Sequence, residues 1–265
     1  YKYLSRKCED ILANSINELL EPSVSRHDAF ANLSAAKKLK EETKTIVLCL
    51  DFDEIVLKEI QKLNKNIDLI ISHHPFIFGT RYQVLKKDPI KKQLCDKIDE
   101  LNIPVYSMHT NFDSGIGGMN DALSEKLGLI DYQPLESCPM ARGGKLPFKM
   151  EVHEFAKYAI DKLDLDYAHL INAGRKEIEK VCILGGAGSY KYINALNEGY
   201  DIFMTGDIPH HIRRDIIANH FNVLDVNHEV EKIFCYQMKK LIHEIDESIE
   251  IIIIDHEKLP ELIIK

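Results

Sequence analysis

The stretch Asp68-Leu69-Ile70-Ile71-Ser72-His73-His74-Pro75-Phe76 joins a short apolar run to two adjacent histidines and a proline. A continuous apolar run of this length is typical of a strand that is buried on both faces of a sheet. The proline predicts a turn directly after the strand, so that both imidazoles would lie near its carboxyl end. The carboxyl ends of parallel strands form the usual ligand crevice of an α/β protein. The segment therefore predicts a parallel sheet with a site at one edge.

Three further clusters of histidine and carboxylate side chains follow other predicted strands. They are His109-Thr110-Asn111-Phe112-Asp113, Asp207-Ile208-Pro209-His210-His211 and Asn227-His228-Glu229-Val230-Glu231. Neutral imidazole and carboxylate suit zinc, iron and manganese, and an open metal site needs several such groups converging from different elements. Each cluster alone has an alternative interpretation, because its acids could cap a helix and its histidines could face solvent. Together they predict a metal site.

His228 and Glu231 are three residues apart at the start of a predicted helix, a spacing that places both side chains on one face. Glu229 is the competing carboxylate, and we prefer Glu231 because Glu229 does not share the histidine face. His210 and His211 lie at a predicted helix N-terminus that begins near Pro209. Since a helix N-terminus favours anions, this position predicts phosphate contact or proton transfer.

Gly185-Gly186-Ala187-Gly188-Ser189 stands between a predicted strand and a predicted helix. Glycine-rich turns in this position often bind phosphate through backbone amides. The segment is not a full phosphate-binding loop motif, and a tight turn without a ligand explains it equally well.

Apolar runs alternate with amphipathic stretches along the chain, which predicts an α/β protein with two domains and mixed, largely parallel sheets. The predicted strands are Ile46–Asp51, Asp68–Ser72, Ile103–Met108, Val181–Leu184, Asp201–Thr205, Asn222–Val226 and an edge strand at Ile251–Ile254. The predicted helices are Leu4–Leu20, Phe52–Leu63, Ile90–Leu101, Asn120–Leu127, Val152–Leu163, Tyr190–Gly199, His210–Asn219 and Glu229–Ile245.

Proline and glycine punctuate residues 131–147, and we predict a domain junction or a crossover there. The first domain would comprise residues 1–131 with a C-terminal segment of about residues 232–265, and the second would comprise residues 132–231. The edge strand predicted near the C-terminus would return the chain to the first domain.

Composition excludes several classes of protein. The chain has 265 residues, 45% hydrophobic and 29% charged, as in a globular protein. The net charge of −8 argues against a nucleic-acid-binding protein, which needs a basic face. No apolar run is long enough for a membrane helix. Six cysteines without a Cys-x-x-Cys pair are typical of buried free thiols, which predicts a cytoplasmic location.

The motifs, taken in order, resemble the NGG-one-interacting-factor-three-like family. They are Ile71-Ser72-His73-His74-Pro75, His109 to Asp113, Asn120-Asp121-Ala122-Leu123 through Leu127-Gly128-Leu129, Gly185 to Ser189, Thr205-Gly206-Asp207 and His228 to Glu231. The order and spacing of these motifs are more specific than any one of them. The chain departs from the family pattern near residues 25–35, where the usual Trp-Asp-Asn is missing, and at Asn227, where the family usually has glycine.

The resemblance implies a dinuclear metal site in a cleft between two α/β domains, and a toroidal homohexamer. Its ligands would be His73, His74, Asp113, His228 and Glu231, with two divalent ions per chain, either zinc, iron or manganese. His109, His210 and His211 would be catalytic candidates. Asp207 would either contact a metal ligand without binding the metal itself or face the substrate.

Bacterial members of the family are described as GTP cyclohydrolase 1 type 2 homologues. The resemblance therefore implies hydrolytic opening of a purine nucleotide ring by metal-activated water. Two alternatives stay open at this point: a metal-dependent phosphoesterase or nucleotide hydrolase, and a metal-binding regulatory or interaction protein without enzymatic activity. One fold hosts many functions, so the motifs do not separate these possibilities.

Overall fold

The structure is a computed structural model that describes residues 33–35, 43–77 and 81–264. Its strands are β1 Leu33–Ala35, β2 Thr45–Cys49, β3 Leu69–Ser72, β4 Val105–Ser107, β5 Ile130–Pro134, β6 Arg142–Glu151, β7 His169–Ile171, β8 Glu177–Ile183, β9 Ile202–Thr205, β10 Asn222–Asp225 and β11 Glu250–Ile253. Its α-helices are α1 Glu54–Leu63, α2 Arg81–Lys87, α3 Pro89–Leu101, α4 Thr110–Ser114, α5 Met119–Leu127, α6 Val152–Leu163, α7 Tyr192–Asn197, α8 His210–Ala218 and α9 Ile233–Ile245.

The chain divides into two compact units. Unit one contains the described residues up to Gly115 together with Phe234–Glu257, and unit two contains Ile116–Ile233 and the residues from Lys258 onward. The helix predicted at Leu4–Leu20 and residues 25–32 of the atypical segment 25–35 lie outside the described residues. The predicted α/β fold with mixed sheets is confirmed.

Unit one is built on a five-stranded sheet in the order β1-β4-β3-β2-β11. Strands β11, β2, β3 and β4 are parallel, and β1 joins the edge in the antiparallel direction. The edge strand predicted at Ile251–Ile254 is therefore present as β11, and it pairs with β2. Helix α1 begins at its cap Asp53, whose carboxylate accepts hydrogen bonds from the amides of Ile55 and Val56 at 2.8 and 3.0 Å.

Unit two is built on a six-stranded sheet in the order β5-β6-β8-β9-β10-β7. Only its centre, β8, β9 and β10, is parallel, while β5, β6 and β7 pair in the antiparallel direction. The segment 131–147, in which a domain junction or crossover is predicted, contributes to the hairpin of β5 and β6. Its glycines allow close packing: a Cβ on Gly143 would lie 1.9 Å from the Tyr200 hydroxyl oxygen.

The observed division falls earlier than the boundary predicted at residue 131. Helix α5 packs against β5, β6 and β8 and therefore belongs to the second sheet rather than the first. The guanidinium of Arg142 holds the helix in place, since its Nε donates to the carboxylate of Asp121 in the first turn of α5. Arg142 is 1% exposed, and its Nη1 also donates to the Pro139 carbonyl at 2.8 Å.

The five cysteines in the described part of the chain are free and buried, as predicted. Burial raises the pKa of the Cys49 thiol well above its usual value, so this thiol stays protonated and unreactive. No helix in the described part is long and apolar enough to cross a membrane.

Replacement of Ile98 by Ala tests the core of unit one. Ile98 is 0% exposed in α3, so we expect the free energy of unfolding to fall by about 2–4 kcal/mol in urea denaturation. Ile90, which lies on the same helix and is 65% exposed, provides the control, and its replacement by Ala should change stability by less than about 0.5 kcal/mol. Equal losses for the two variants would contradict the assigned helix face.

Candidate metal-binding groups in each unit

In unit one the candidate groups follow two neighbouring parallel strands. β3 and β4 pair with Ser72 opposite Ser107, and the two hydroxyl oxygens lie 3.0 Å apart. His73 follows β3 directly and His109 follows β4 after Met108, so the register of the sheet brings them to the same edge. The Met108 amide donates to the Ser72 carbonyl at 2.9 Å, which extends the pairing up to the histidines.

His73 is fully buried, and its ring is oriented by the backbone. Its Nδ1 lies 2.7 Å from the Met108 carbonyl oxygen, which can only accept, so Nδ1 carries the proton. The Nε2 atom then faces Oδ1 of Asp113 at 3.5 Å. Two atoms that bear lone pairs are stabilised at this separation by a proton or a cation between them. The pair therefore fits a metal ion.

His74 is oriented by a carboxylate instead of a carbonyl. Its Nδ1 donates to Oδ2 of Asp51 at 2.9 Å, which leaves Nε2 as the atom that can bind a metal. His109 completes the group: one ring nitrogen from each of His73, His74 and His109 lies within 4.8 Å of the others. The imidazole of a metal-binding histidine usually donates its second N–H to a carboxylate or carbonyl in this way.

In unit two the same arrangement recurs around His228, which begins a 3-10 turn over His228–Lys232. Its Nδ1 lies 2.6 Å from Oδ2 of Asp207, and its Nε2 lies 3.0 Å from Oε2 of Glu231. Glu231 is 3% exposed. Glu231, rather than Glu229, is therefore the carboxylate that His228 contacts. Asp207 does not cap α8, whose first turn follows Pro209 without a side-chain cap.

His210 and His211 lie in the first turn of α8, and both are exposed. The Nδ1 of His210 contacts the guanidinium of Arg213 on the same helix at 2.8 Å. Among the described residues, no group of side chains that could hold a metal includes either histidine.

The glycine-rich turn makes room for Glu231. A Cβ on Gly186 would lie 2.1 Å from Oε1 of Glu231, and Gly186 has a positive φ of 68°. The amide of Gly185 donates to the Asn120 side chain at 2.8 Å, and that of Gly188 donates to the Thr205 hydroxyl at 3.1 Å. Because these amides are used within the fold, the structure favours a tight turn over a phosphate cradle.

Sequence reasoning missed Asp51, which orients His74, and the role of Asn120, which holds the glycine-rich turn. Asp51 lies two residues after the end of β2, the neighbour of β3, and a carboxylate in this position was the signal that could have identified it. Burial also raises the pKa of Asp225, which lies at the end of β10, above its usual value, although the Asn227 amide donates to its carboxylate.

Gly186→Ala tests the close approach of Glu231. Both Gly186 and Gly199 have positive φ, but nothing lies within 4 Å of a Cβ on Gly199. We expect Gly199→Ala to lower the free energy of unfolding by about 1 kcal/mol through backbone strain alone. Gly186→Ala should lower the free energy of unfolding by clearly more, because the Glu231 carboxylate must also move. Thermal denaturation of the two variants measures both losses. Equal losses would show that Glu231 adapts without difficulty.

These units define a two-part α/β protein in which each part presents histidine and carboxylate groups suited to a divalent metal. Residues 9–260 match the model of the Duf34/NIF3 (NGG1p interacting factor 3) family, and the chain belongs to that family. The family resemblance seen in the motifs is confirmed.

Relatives support the assignment along most of the chain. A GTP cyclohydrolase 1 type 2 homolog of Clostridium perfringens is 29% identical over 265 residues, which cover 96% of this chain and 98% of the relative. A protein of the same name from Streptococcus pneumoniae is 30% identical over 214 residues, which cover 78% and 79%. The crystal structure of a Bacillus cereus protein related to NIF3 shares the fold, with a TM-score of 0.80, 20% identity, and coverage of 97% and 98%.

Proposed function

We propose that this protein is a metal-dependent hydrolase similar to GTP cyclohydrolase 1 type 2, with two divalent ions per chain. The ligands in this proposal are His73, His74, Asp113, His228 and Glu231. The names of the relatives support the reaction, and the donor groups within each unit support the metals. Imidazole and carboxylate donors together favour zinc, iron or manganese over a site of hard oxygens alone.

One observation carries the proposal: three histidines each use Nδ1 to bind a carbonyl or a carboxylate of the protein. His73 uses the Met108 carbonyl, while His74 and His228 use Asp51 and Asp207. Each bond selects the tautomer in which Nε2 carries the lone pair. A single bond of this kind also occurs for a histidine with a purely structural role. The same orientation in three histidines, two in unit one and one in unit two, is typical of metal ligands.

The ions, when bound, would polarise a water molecule and an electrophilic group of the substrate, which is the chemistry that ring opening needs. The protein's own groups would orient the ligands and move protons. His109 is our candidate for proton transfer in unit one, since it lies beside His73 and His74, with ring centroids 5.2 and 5.6 Å away. We propose the exposed His210 and His211 as substrate-facing groups, with proton transfer or phosphate contact as their role.

Metal content tests the ligands directly. His74→Ala and Glu231→Ala should each lower the metal bound per chain, measured by elemental mass spectrometry after purification without chelator, because each removes a donor. Glu229→Ala is the matched control for Glu231, and His153→Ala, at an exposed helix start, is the control for His74. Circular dichroism should show all four variants folded. Unchanged metal content in a ligand variant would remove that residue from the proposed site.

Turnover tests the reaction. Protein loaded with zinc, iron or manganese should convert GTP into a ring-opened product or formate, identified by mass spectrometry, and removal of the metal should abolish this conversion. Release of phosphate alone would favour the phosphoesterase alternative. Binding of metal without turnover of any nucleotide would favour a regulatory or interaction protein.

We also propose that the chain assembles as a toroidal homohexamer, as the family resemblance implies. Light scattering of the purified protein should then give six times the chain mass of 30.4 kDa. A monomeric mass would contradict this assembly without affecting the ligand assignment.

A further inference from the structure

We propose that Asn227 is a positioning residue whose side chain, anchored to the Tyr167 carbonyl, holds a strained backbone that directs the imidazole of His228. The inference rests on the proposed function in one respect, namely that His228 is a metal ligand. All of the residues involved belong to unit two. Asn227 stands directly before His228 and is not one of the proposed ligands.

The backbone of Asn227 has a conformation that only glycine adopts without strain. Its φ is 64° and its ψ is 158°. Asn64 and Asn102 also have positive φ, but their ψ values of 38° and 41° lie in the left-handed helical region, which asparagine tolerates. The combination at Asn227 lies outside that region, in a part of φ/ψ space that is essentially restricted to glycine. Contacts with the surrounding structure must therefore hold this residue in place.

The side chain of Asn227 supplies one of these contacts. In the antiparallel register of β10 and β7, Asp225 lies opposite His169, so Asn227 comes opposite Tyr167 two residues further along. There its Nδ2 donates to the Tyr167 carbonyl at 2.9 Å. Asn227 also begins the 3-10 turn, a position where asparagine commonly caps the first amides, yet its side chain makes no capping bond. The carboxamide therefore anchors the backbone instead of capping the turn.

The strand on the other side of β10 supports the same backbone. The Val226 amide donates to the Thr205 carbonyl at 2.9 Å, which extends the pairing of β9 with β10 up to Gly206 and Asn227. A Cβ on Gly206 would lie 3.0 Å from the carbonyl carbon of Asn227 and 3.1 Å from the amide nitrogen of His228. The two segments approach closely because Gly206 has no side chain. Asn227 is thus held between the segment before β7 and the segment after β9.

This backbone sets the direction of His228. Asp207 follows Gly206 directly, and its Oδ2 lies 2.6 Å from Nδ1 of His228. The Nε2 of the same ring lies 3.0 Å from Oε2 of Glu231. A change of φ at Asn227 to a negative value would turn the chain that follows and carry the imidazole away from both carboxylates. The contacts of His228 therefore depend on the strained conformation of the residue before it.

The first test is crystallographic and uses metal-free variants. Asn227→Ala removes the anchor but keeps a Cβ, so residue 227 should relax to a negative φ and His228 should lose its contact with Asp207. Asn227→Gly removes the anchor and the Cβ together, so the observed conformation is free of steric strain. In this variant φ should stay positive and the contact between His228 and Asp207 should persist.

The second test is cobalt titration followed by visible absorption. Asn227→Ala should weaken cobalt binding by about 10-fold or more and alter the spectrum, whereas Asn227→Gly should stay within about threefold of the wild type. Asn227→Asp replaces the donor Nδ2 with an oxygen that cannot donate to the Tyr167 carbonyl, so it should resemble Asn227→Ala. A hydrogen bond with a purely structural role would make glycine no better than alanine, since glycine adds backbone freedom.

Gly206→Ala and Gly174→Ala form a matched pair that tests the contact from β9. A Cβ on Gly174 would lie 2.9 Å from the amide nitrogen of Asn222, so both replacements press on backbone, but at opposite ends of β10. Both should lower the midpoint of thermal denaturation, whereas only Gly206→Ala should weaken cobalt binding by about 10-fold or more. If Asn227→Ala does not fold, Asn227→Asp and this pair carry the test.

The outcomes separate this inference from the proposed function. If Asn227→Ala keeps the wild-type cobalt affinity, or if Asn227→Gly loses as much affinity as Asn227→Ala, the inference is overturned. Equal losses of affinity for Gly174→Ala and Gly206→Ala would also overturn it. If the affinities follow the expected order but GTP is not turned over, the inference stands and the hydrolase proposal falls. If the wild type binds no cobalt, the crystal structures alone decide whether Asn227 directs His228.

Discussion

The hydrogen bond from His73 to the Met108 carbonyl is the constraint on which the arrangement of unit one depends. A fully buried imidazole is tolerated only if its polar atoms are paired, because burial of an unsatisfied donor costs about 1–3 kcal/mol. The bond satisfies Nδ1 within the sheet and directs Nε2 towards Asp113. Through this bond, the pairing of β3 with β4 sets the direction of Nε2, the atom of His73 that would bind a metal.

Unit two reaches a similar result by a different route. Arg142 and Asp121 hold α5 against the sheet, and the neighbouring Asn120 accepts the amide of Gly185. The turn held in this way has no side chain at Gly186, where the carboxylate of Glu231 lies. Thus a buried ion pair far from the histidine in sequence prepares the space that His228 and Glu231 require. Breaking a buried ion pair is strongly destabilising, so stability and site geometry are linked here.

Several elements could be predicted because their signals are local. Helix α6 has the predicted bounds, Val152–Leu163, because its amphipathic pattern is a local property of the chain, and the structure shows that a capping box of Glu151 and Glu154 begins it. The hairpin of β5 and β6 was missed because its glycines resemble a linker. Tyr200 and other neighbours occupy the space that a Cβ at these glycines would need. These neighbours are distant in sequence, so the local pattern does not reveal them.

The sequence by itself determined the α/β class, the family and the types of side chain that could bind a metal, because apolar periodicity and motif order are properties of the chain. Only the tertiary structure decided which atom each histidine presents. The tautomers of His73 and His74 depend on Met108 and Asp51, which neighbouring strands supply. The i, i+3 spacing already favoured Glu231 over Glu229 as the partner of His228, and the structure adds the space above Gly186 that the Glu231 carboxylate occupies. Hydrogen-bond geometry across a sheet has no signature in local spacing.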